Sequence, residues 1–216
     1  MGPPISCVAI NGTPDTKMNS GDSKGWNSRG YMPHLDVPGL LQSVTFRLAD
    51  SLPQEVLREL DIEPTGSCER QRDLARRRQI EHWLDSGWGC CALKHPTVAE
   101  IVENALLHFD GDRYRLVSWC IMPNHVHALI EPNADLGRIV QSWKSFSSRR
   151  VMASREALGL QIPGSHLWMR DYWDRYIRDE AHFRAVVDYV HENPVKAGLV
   201  KTSSEWRWSS AWRMRL

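Results

Sequence analysis

Two histidines separated by one residue, His125 and His127, stand in the run MPNHVHALIEP, and their spacing is the first feature of this chain that could do chemistry. Side chains alternate across a β-strand, so residues i and i+2 project from one face about one strand repeat apart. Two imidazoles so placed can ligate one metal ion. The same spacing also describes two histidines on the polar face of a half-buried strand whose other face carries Val126, Ala128 and Ile130, with no ligand at all. Further along, in EAHFRAVVDYVHENP, the residues Phe183, Val186, Val187 and Val190 recur at i, i+3, i+4 and i+7, the stripe of an amphipathic helix. At about 100° per residue, His182, Tyr189 and Asn193 fall together on one flank of that stripe. Tyr189 and Asn193 are four apart and therefore neighbours on the helix surface, so a phenol and an amide oxygen point at one place. A tyrosine ring packed at the core edge, with Asn193 breaking the helix before Pro194, accounts for the same residues without chemistry.

The elements that must position these groups read as an α+β pattern. The alternating Val44-Thr45-Phe46-Arg47-Leu48 forms a first strand closed by Ser51 and Pro53. The segment PQEVLREL predicts a helix, and ERQRDLARRRQIEHWLDSG a second, with Gly87 as its stop and Arg76, Arg77 and Arg78 facing solvent or DNA. Thr97 is placed to cap a third, VAEIVENALLHF. After the turn at Asp110-Gly111-Asp112, RYRLVSWCIM and HVHALIEP read as neighbouring strands of a hairpin broken at Pro123-Asn124, which puts the histidines at a strand start in mid-sheet. LGRIVQSWKSFSSRRVM reads as a helix with Ile139, Val140, Trp143 and Phe146 on one side and Arg138, Lys144, Arg149 and Arg150 elsewhere. LWMRDYWDRYIRD reads as a strand, and the Tyr189 helix follows, stopped by Pro194.

Composition bounds what these elements can belong to. The 216 residues are 42% hydrophobic and 25% charged, ordinary globular values, with no internal repeat and no second domain. Residues 1–28, rich in Gly, Ser, Asn, Asp, Pro and Thr, read as a flexible leader, and 29–216 as one domain with a C-terminal tail. Apolar runs are short and no secretory signal opens the chain, so a cytoplasmic protein without a membrane span is expected. Five cysteines without a CxxC pair fit reduced thiols better than a disulfide framework or zinc ribbon. The net charge of +1 is unevenly spread: residues 138–216 hold 14 Lys+Arg against 8 Asp+Glu, the rest 13 against 18. A basic C-terminal third points to a polyanion partner, although solvated Arg-rich helices give the same balance.

MPNHVHALI, followed by YIRDEAHFRAVVDYVHENPVKAGLV, resembles the REP-associated tyrosine transposases, single-tyrosine HUH endonucleases related to the transposases of single-stranded insertion sequences. The likeness extends to RGYMPHLDVPGLLQSVTFRLADSLP near the start and to WRWSSA near the end, covering roughly residues 29–211. It implies a ferredoxin-like or RRM-like HUH fold, a small antiparallel sheet with helices packed on one face. It also implies His125 and His127 as metal ligands, Val126 as the hydrophobic residue between them, and Tyr189 as nucleophile. The third ligand of related insertion-sequence transposases is a glutamine four residues after the tyrosine. Here that position is Asn193, one methylene shorter.

The implied activity is metal-dependent cleavage and rejoining of single-stranded DNA, with Mg²⁺ or Mn²⁺ as a Lewis acid on the scissile phosphate. The implied intermediate is a 5′-phosphotyrosine with a free 3′-hydroxyl, so no nucleotide cofactor is required. The implied partners are hairpins of repetitive extragenic palindromes on the bacterial nucleoid, met by a monomer acting in cis. Arg138, Lys144, Arg149, Arg150 and Arg178 are candidates for phosphate contact, and Trp143, Trp173 and Trp208 for stacking on unpaired bases. Two rival readings are a domesticated protein that binds the palindrome without cutting it, and a metal-dependent phosphodiesterase using bound water, in which Tyr189 only packs.

Overall fold

Alternation along the first long strand sorts its residues to two faces, and both faces are covered. The computed structural model describes residues 25–28, 33–37, 39–53, 55–56 and 79–214. β1 (Gly25–Ser28) and β2 (Pro33–Asp36) pair as a separate antiparallel ribbon. The main sheet consists of β3 (Gln42–Arg47), β4 (Tyr114–Ile121), β5 (His125–Pro132) and β6 (Trp173–Tyr176), all antiparallel, in the spatial order β4-β5-β3-β6. α1 (Pro96–Leu107) joins β3 to β4, and α2 (Leu136–Ser154) joins β5 to β6. The β-α-β-β-α-β sequence in this order is the ferredoxin-like arrangement expected from the sequence. α3 (Glu180–Lys196) and the short α4 (Ser210–Arg213) follow.

On one face Val44, Phe46, Val126, Ala128 and Ile130 pack with Val98, Val102 and Leu106 of α1 and with Ile139, Val140 and Trp143 of α2. The polar atoms caught there are paired, as burial requires. Tyr114 Oη donates to the Leu106 carbonyl at 2.6 Å and accepts from Trp143 Nε1 at 2.8 Å, and Trp168 Nε1 donates to Ser147 Oγ at 2.9 Å. The opposite face carries Thr45, Cys120, His125 and His127. There Cys120 and Met122 meet Val186, Tyr189 and Val190 of α3, and Trp173 packs on Ile80 and Leu84 of a helical segment over residues 79–85. Helices therefore cover both faces, not one. His125 and His127 do not lie on a half-solvated surface but are almost fully buried.

The C-terminal WRWSSA run is built into the edge of β4. Ile121 N–H donates to the Trp208 carbonyl, Trp206 Nε1 to the Ile121 carbonyl, and Trp119 N–H to Ser210 Oγ. The buried Glu103 of α1 holds Arg207 at 3.2 Å and Arg213 at 3.3 Å.

Several local expectations are corrected. α1 begins with Pro96 at its first turn and His95 as N-cap, not Thr97, because proline's fixed φ and missing N–H suit that position. α3 continues through Pro194 to Lys196, since a proline one turn from the end removes a single hydrogen bond; the stop is Gly198, at φ 68°. The strand expected over 167–179 is only Trp173–Tyr176, with an isolated bridge from Leu48 to Trp168. On α2 it is Ser147 that turns inward, bonding the Trp143 carbonyl at 2.6 Å, while Phe146 lies exposed beneath Arg150. The last four residues of the expected leader pair with Pro33–Asp36 through their backbones; residues 1–24 lie outside the described residues. So do most of the two helices expected after β3, including Arg76, Arg77 and Arg78.

Candidate active site

β5 begins at His125, and its pairing with β3 sets Thr45 directly opposite His127 and Arg47 opposite His125. The two ring nitrogens, His125 Nε2 and His127 Nε2, stand 2.9 Å apart. Asn124 fixes one of them. Its Nδ2 donates to the Trp88 carbonyl at 3.0 Å, which leaves Oδ1 to accept from His125 Nδ1 at 2.8 Å. His125 Nε2 therefore carries a lone pair. His127 Nδ1 lies 2.8 Å from Thr45 Oγ1, a hydroxyl that can donate or accept, so His127 Nε2 can either donate to its neighbour or present a second lone pair. Burial pushes both imidazoles below their ordinary range, His127 to about 3 with the charge of Lys196 adding to the effect. Both rings are neutral at physiological pH, the state a metal ligand requires.

α3 lies over this pair. The Tyr189 ring meets the His127 ring edge to face, with centroids 5.2 Å apart, and Lys196 Nζ sits 4.9 Å from the Tyr189 ring centre. Burial holds the Tyr189 phenol well above its ordinary pKa, and the carboxylates of Glu81 and Asp85 push the same way. One turn further along α3, Asn193 is 1% exposed; its amide lies close enough to the Tyr189 hydroxyl to pull that phenol's pKa down against the larger effect of burial, but neither its Oδ1 nor its Nδ2 makes a hydrogen bond of good geometry. Leaving such a group unpaired costs about 1–3 kcal/mol, so its survival in a packed helix needs an explanation. A divalent ion would supply one. Two neutral imidazoles and a buried amide oxygen are a donor set for a cation such as Mg²⁺ or Mn²⁺ with open positions. Among the described residues no three His, Cys, Asp or Glu side chains gather to hold a metal ion.

The structure thus brings His125, His127, Tyr189 and Asn193 into one neighbourhood, and with them four side chains whose role the sequence did not disclose: Thr45, Asn124, Asp85 and Lys196. Thr45 is 82 positions from His127, and only strand register pairs them. The basic candidates divide. Arg178 flanks the start of α3, its N–H donating to His182 Nδ1 at 3.2 Å. Arg138, Lys144, Arg149 and Arg150 belong to α2, on the sheet face away from the histidines. Burial lowers Lys144 to about 8, and its amine donates to the Arg170 carbonyl. Trp143 is core and not a stacking surface, Trp208 is half-buried beside Arg207, and Trp173 stands on the histidine face. Trp88, half exposed, is the large aromatic open to solvent near Asn124.

Comparison with known proteins adds an independent line. Residues 95–193, the span from α1 to Asn193, match the family described as Transposase IS200 like. The chain is 30% identical over 119 residues to the REP-associated tyrosine transposase of Escherichia coli (strain K12), covering 53% of this chain and 65% of that protein. A Haemophilus influenzae relative of the same designation is 30% identical over 103 residues, covering 45% and 58%. The chain thus spans less than two thirds of the curated relatives it matches. A solved REP-associated tyrosine transposase bound to a REP hairpin is 20% identical, with a TM-score of 0.48, covering 82% of this chain and 79% of that one. Among the described residues no helix is long and apolar enough to cross a membrane.

Proposed function

We propose that this chain, whose residues 95–193 match the family described as Transposase IS200 like and which is 30% identical over 119 residues to a REP-associated tyrosine transposase, cleaves and rejoins single-stranded DNA at REP-type hairpins, with Tyr189 as nucleophile and a divalent ion held by His125, His127 and Asn193. The observation that carries this reading is the contact between the Tyr189 ring and His127, whose Nε2 is 2.9 Å from that of His125. A nucleophile and a phosphate-activating ion must meet at one phosphorus, and the ring contact between Tyr189 and His127 supports that reading. The ion, when bound, draws charge from a non-bridging phosphate oxygen.

The chain's own residues supply the rest. Asn124 and Thr45 orient the imidazoles through their second ring nitrogens. Tyr189 holds its proton until attack. Its oxygen then bonds to phosphorus, the bond from phosphorus to the 3′ oxygen breaks, that oxygen takes up a proton, and the phenol proton passes to solvent. The Lys196 ammonium, 4.9 Å from the tyrosine ring, favours the negative charge that develops on the phenol oxygen. Return attack by a 3′-hydroxyl reverses the step without ATP. Arg178 borders the site, and Arg138, Lys144, Arg149 and Arg150 on the far helix would meet the DNA only where it wraps the sheet, as phosphate contacts to a stem. The alternative of a palindrome-binding protein without cleavage is less well supported, because simple binding calls for neither the buried histidine pair nor the buried amide of Asn193 beside it.

The test is incubation of the full chain with labelled single-stranded hairpins and Mn²⁺, followed by a denaturing gel. A slow-migrating covalent adduct that Tyr189→Phe removes is the expected result. Hairpin binding with no adduct under any divalent ion would move the assignment to the binding-only reading.

A further inference from the structure

The turn from β4 to β5, Pro123-Asn124, delivers the histidine pair and is held through both of its residues. Leu93 N–H donates to the Pro123 carbonyl at 3.2 Å, Leu48 N–H to the Asn124 carbonyl at 2.8 Å, and the Asn124 side chain to the Trp88 carbonyl at 3.0 Å. The stretch that supplies Trp88 and Leu93 has an unusual backbone. Gly87, Gly89 and Cys91 take φ of 71°, 92° and 48°, and Cys91 is the only non-glycine with positive φ among the described residues. Conformations of this kind persist where the surroundings impose them, and they gather at functional sites. Here Asp50, just past the end of β3, imposes it. Its Oδ2 accepts the Cys90 N–H at 2.6 Å and its Oδ1 the Cys90 thiol at 3.5 Å. Gly89 passes so close that a Cβ there would stand 2.5 Å from the Asp50 carbonyl oxygen.

We propose that Asp50 and Gly89 are positioning residues for the histidine pair: by pinning the Gly87–Cys91 turn they aim the Trp88 carbonyl at Asn124, and so keep the ring proton of His125 on Nδ1 and the lone pair on Nε2. A carbonyl can only accept, so it claims the Asn124 amide nitrogen and leaves Oδ1 facing His125 Nδ1 at 2.8 Å. Asn124 is fully buried, and solvent cannot stand in for that carbonyl. With the turn displaced, the amide is free to turn over and present its Nδ2 to His125 Nδ1. The ring proton then moves to Nε2, the nitrogen 2.9 Å from His127 Nε2, where it blocks coordination. The inference rests on reading His125 Nε2 as a metal ligand, and it names what in the fold prepares that nitrogen.

The experiment follows the tautomer and not cleavage, so that it stays separate from the test of catalysis. Nitrogen NMR of full-length, metal-free protein labelled at histidine distinguishes a protonated ring nitrogen from a bare one, and His125→Gln assigns the signals. In the unaltered protein His125 should carry its proton on Nδ1. Asp50→Ala, which removes the acceptor of the Cys90 N–H, and Gly89→Ala, which forces the turn off Asp50, should shift that proton toward Nε2. Both should also weaken Mn²⁺ binding about tenfold, measured from the paramagnetic resonance of the free ion. Asp50→Asn keeps an oxygen acceptor and should restore both readouts. Melting curves confirm folding, and Asp50→Ser serves in place of Asp50→Ala if that variant does not fold. An unchanged His125 tautomer in a folded Asp50→Ala or Asp50→Ser protein would overturn the inference, whatever its Tm. So would an Asp50→Asn protein as impaired as Asp50→Ala. Failure of the metal reading looks different: the unaltered protein would bind no Mn²⁺, while its His125 tautomer still answered to Asp50.

Discussion

The two faces of the central sheet are made by the same strands and obey opposite rules. On the face toward α1 and α2, Val44, Phe46, Val126, Ala128 and Ile130 are completely buried, and the polar atoms among them, Tyr114 Oη, Trp143 Nε1 and Ser147 Oγ, are paired. On the face toward α3 and residues 79–85, burial is nearly as deep, yet Asn193, Trp173 Nε1, His182 Nε2 and Asp85 Oδ1 are unpaired. A folded chain keeps few such groups; His95 Nδ1 at the start of α1 is another, but most of them gather on the side toward α3, which marks it as the face where a ligand would complete the structure. One face supplies stability, and the other gathers the polar groups on which the proposed chemistry rests.

The comparison is broken most severely by cutting into the apolar face. Phe46→Ala empties a site ringed by Trp143 and Trp168 and should lower unfolding free energy by about 3–5 kcal/mol in urea titrations. An equal loss from Thr45→Val, one residue away on the other face, would contradict the division of labour.

Next comes the histidine pair. His125→Ala and His127→Ala should each slow strand cleavage at least about a hundredfold while hairpin affinity in gel shifts stays within a few fold, because the ion acts on the phosphate and basic side chains supply affinity. Excess chelator should reproduce the loss in the unaltered protein. Cleavage at full rate with chelator present would remove the metal from the account.

Asn193→Leu sharpens the contrast at smaller magnitude. Replacing an unpaired buried amide by a hydrocarbon of similar shape should leave metal-free stability unchanged or raise it by about 1 kcal/mol. The rise in Tm on adding Mn²⁺, expected of the unaltered protein, should shrink or vanish. A destabilised metal-free variant would mean that the amide has partners within the fold.

The gentlest probe is pH. His125 and His127 are held below their unfolded value near 6.5. The unfolded chain therefore binds protons that the folded one refuses, and their contribution to stability is complete above about pH 6.5 and declines as pH falls toward about 3. Denaturant midpoints flat from pH 7 to 4 would oppose this. Cleavage has the reverse origin: burial with Glu81 and Asp85 holds the Tyr189 proton on, so log rate should climb past the ordinary tyrosine value near 10 without a plateau.

How much of this was legible in the sequence follows from what each feature depends on. HVHALIEP was readable as a strand beginning at His125 because alternation is local, and the helix carrying Tyr189 because its apolar stripe is local too. The exchange of Phe146 for Ser147 was not, since a hydroxyl enters the core only where Trp168 and a helix carbonyl take up its hydrogen bonds. Pro194 misled for a related reason, its cost being small in a last turn that Gly198 then closes. The partners of the histidines were hidden by distance along the chain: Thr45 reaches His127 through register, and Asn124, readable only as a break, acquires its role from the Trp88 carbonyl. The second helical cover, which turns a polar strand face into a closed site, depends on where α3 docks, and no periodicity states that.

The central claim is that Tyr189, and no other tyrosine, becomes bonded to DNA. Tyr172 and Tyr176 precede α3, and Tyr172 is buried with the apolar core. Trapping the adduct formed with a labelled hairpin and Mn²⁺, digesting it and locating the modified peptide by mass spectrometry tests this directly. The account predicts a phosphodiester on Tyr189, lost in Tyr189→Phe and retained in Tyr172→Phe and Tyr176→Phe. A nucleotide found on Tyr172, on Tyr176 or on any residue other than Tyr189 would contradict it.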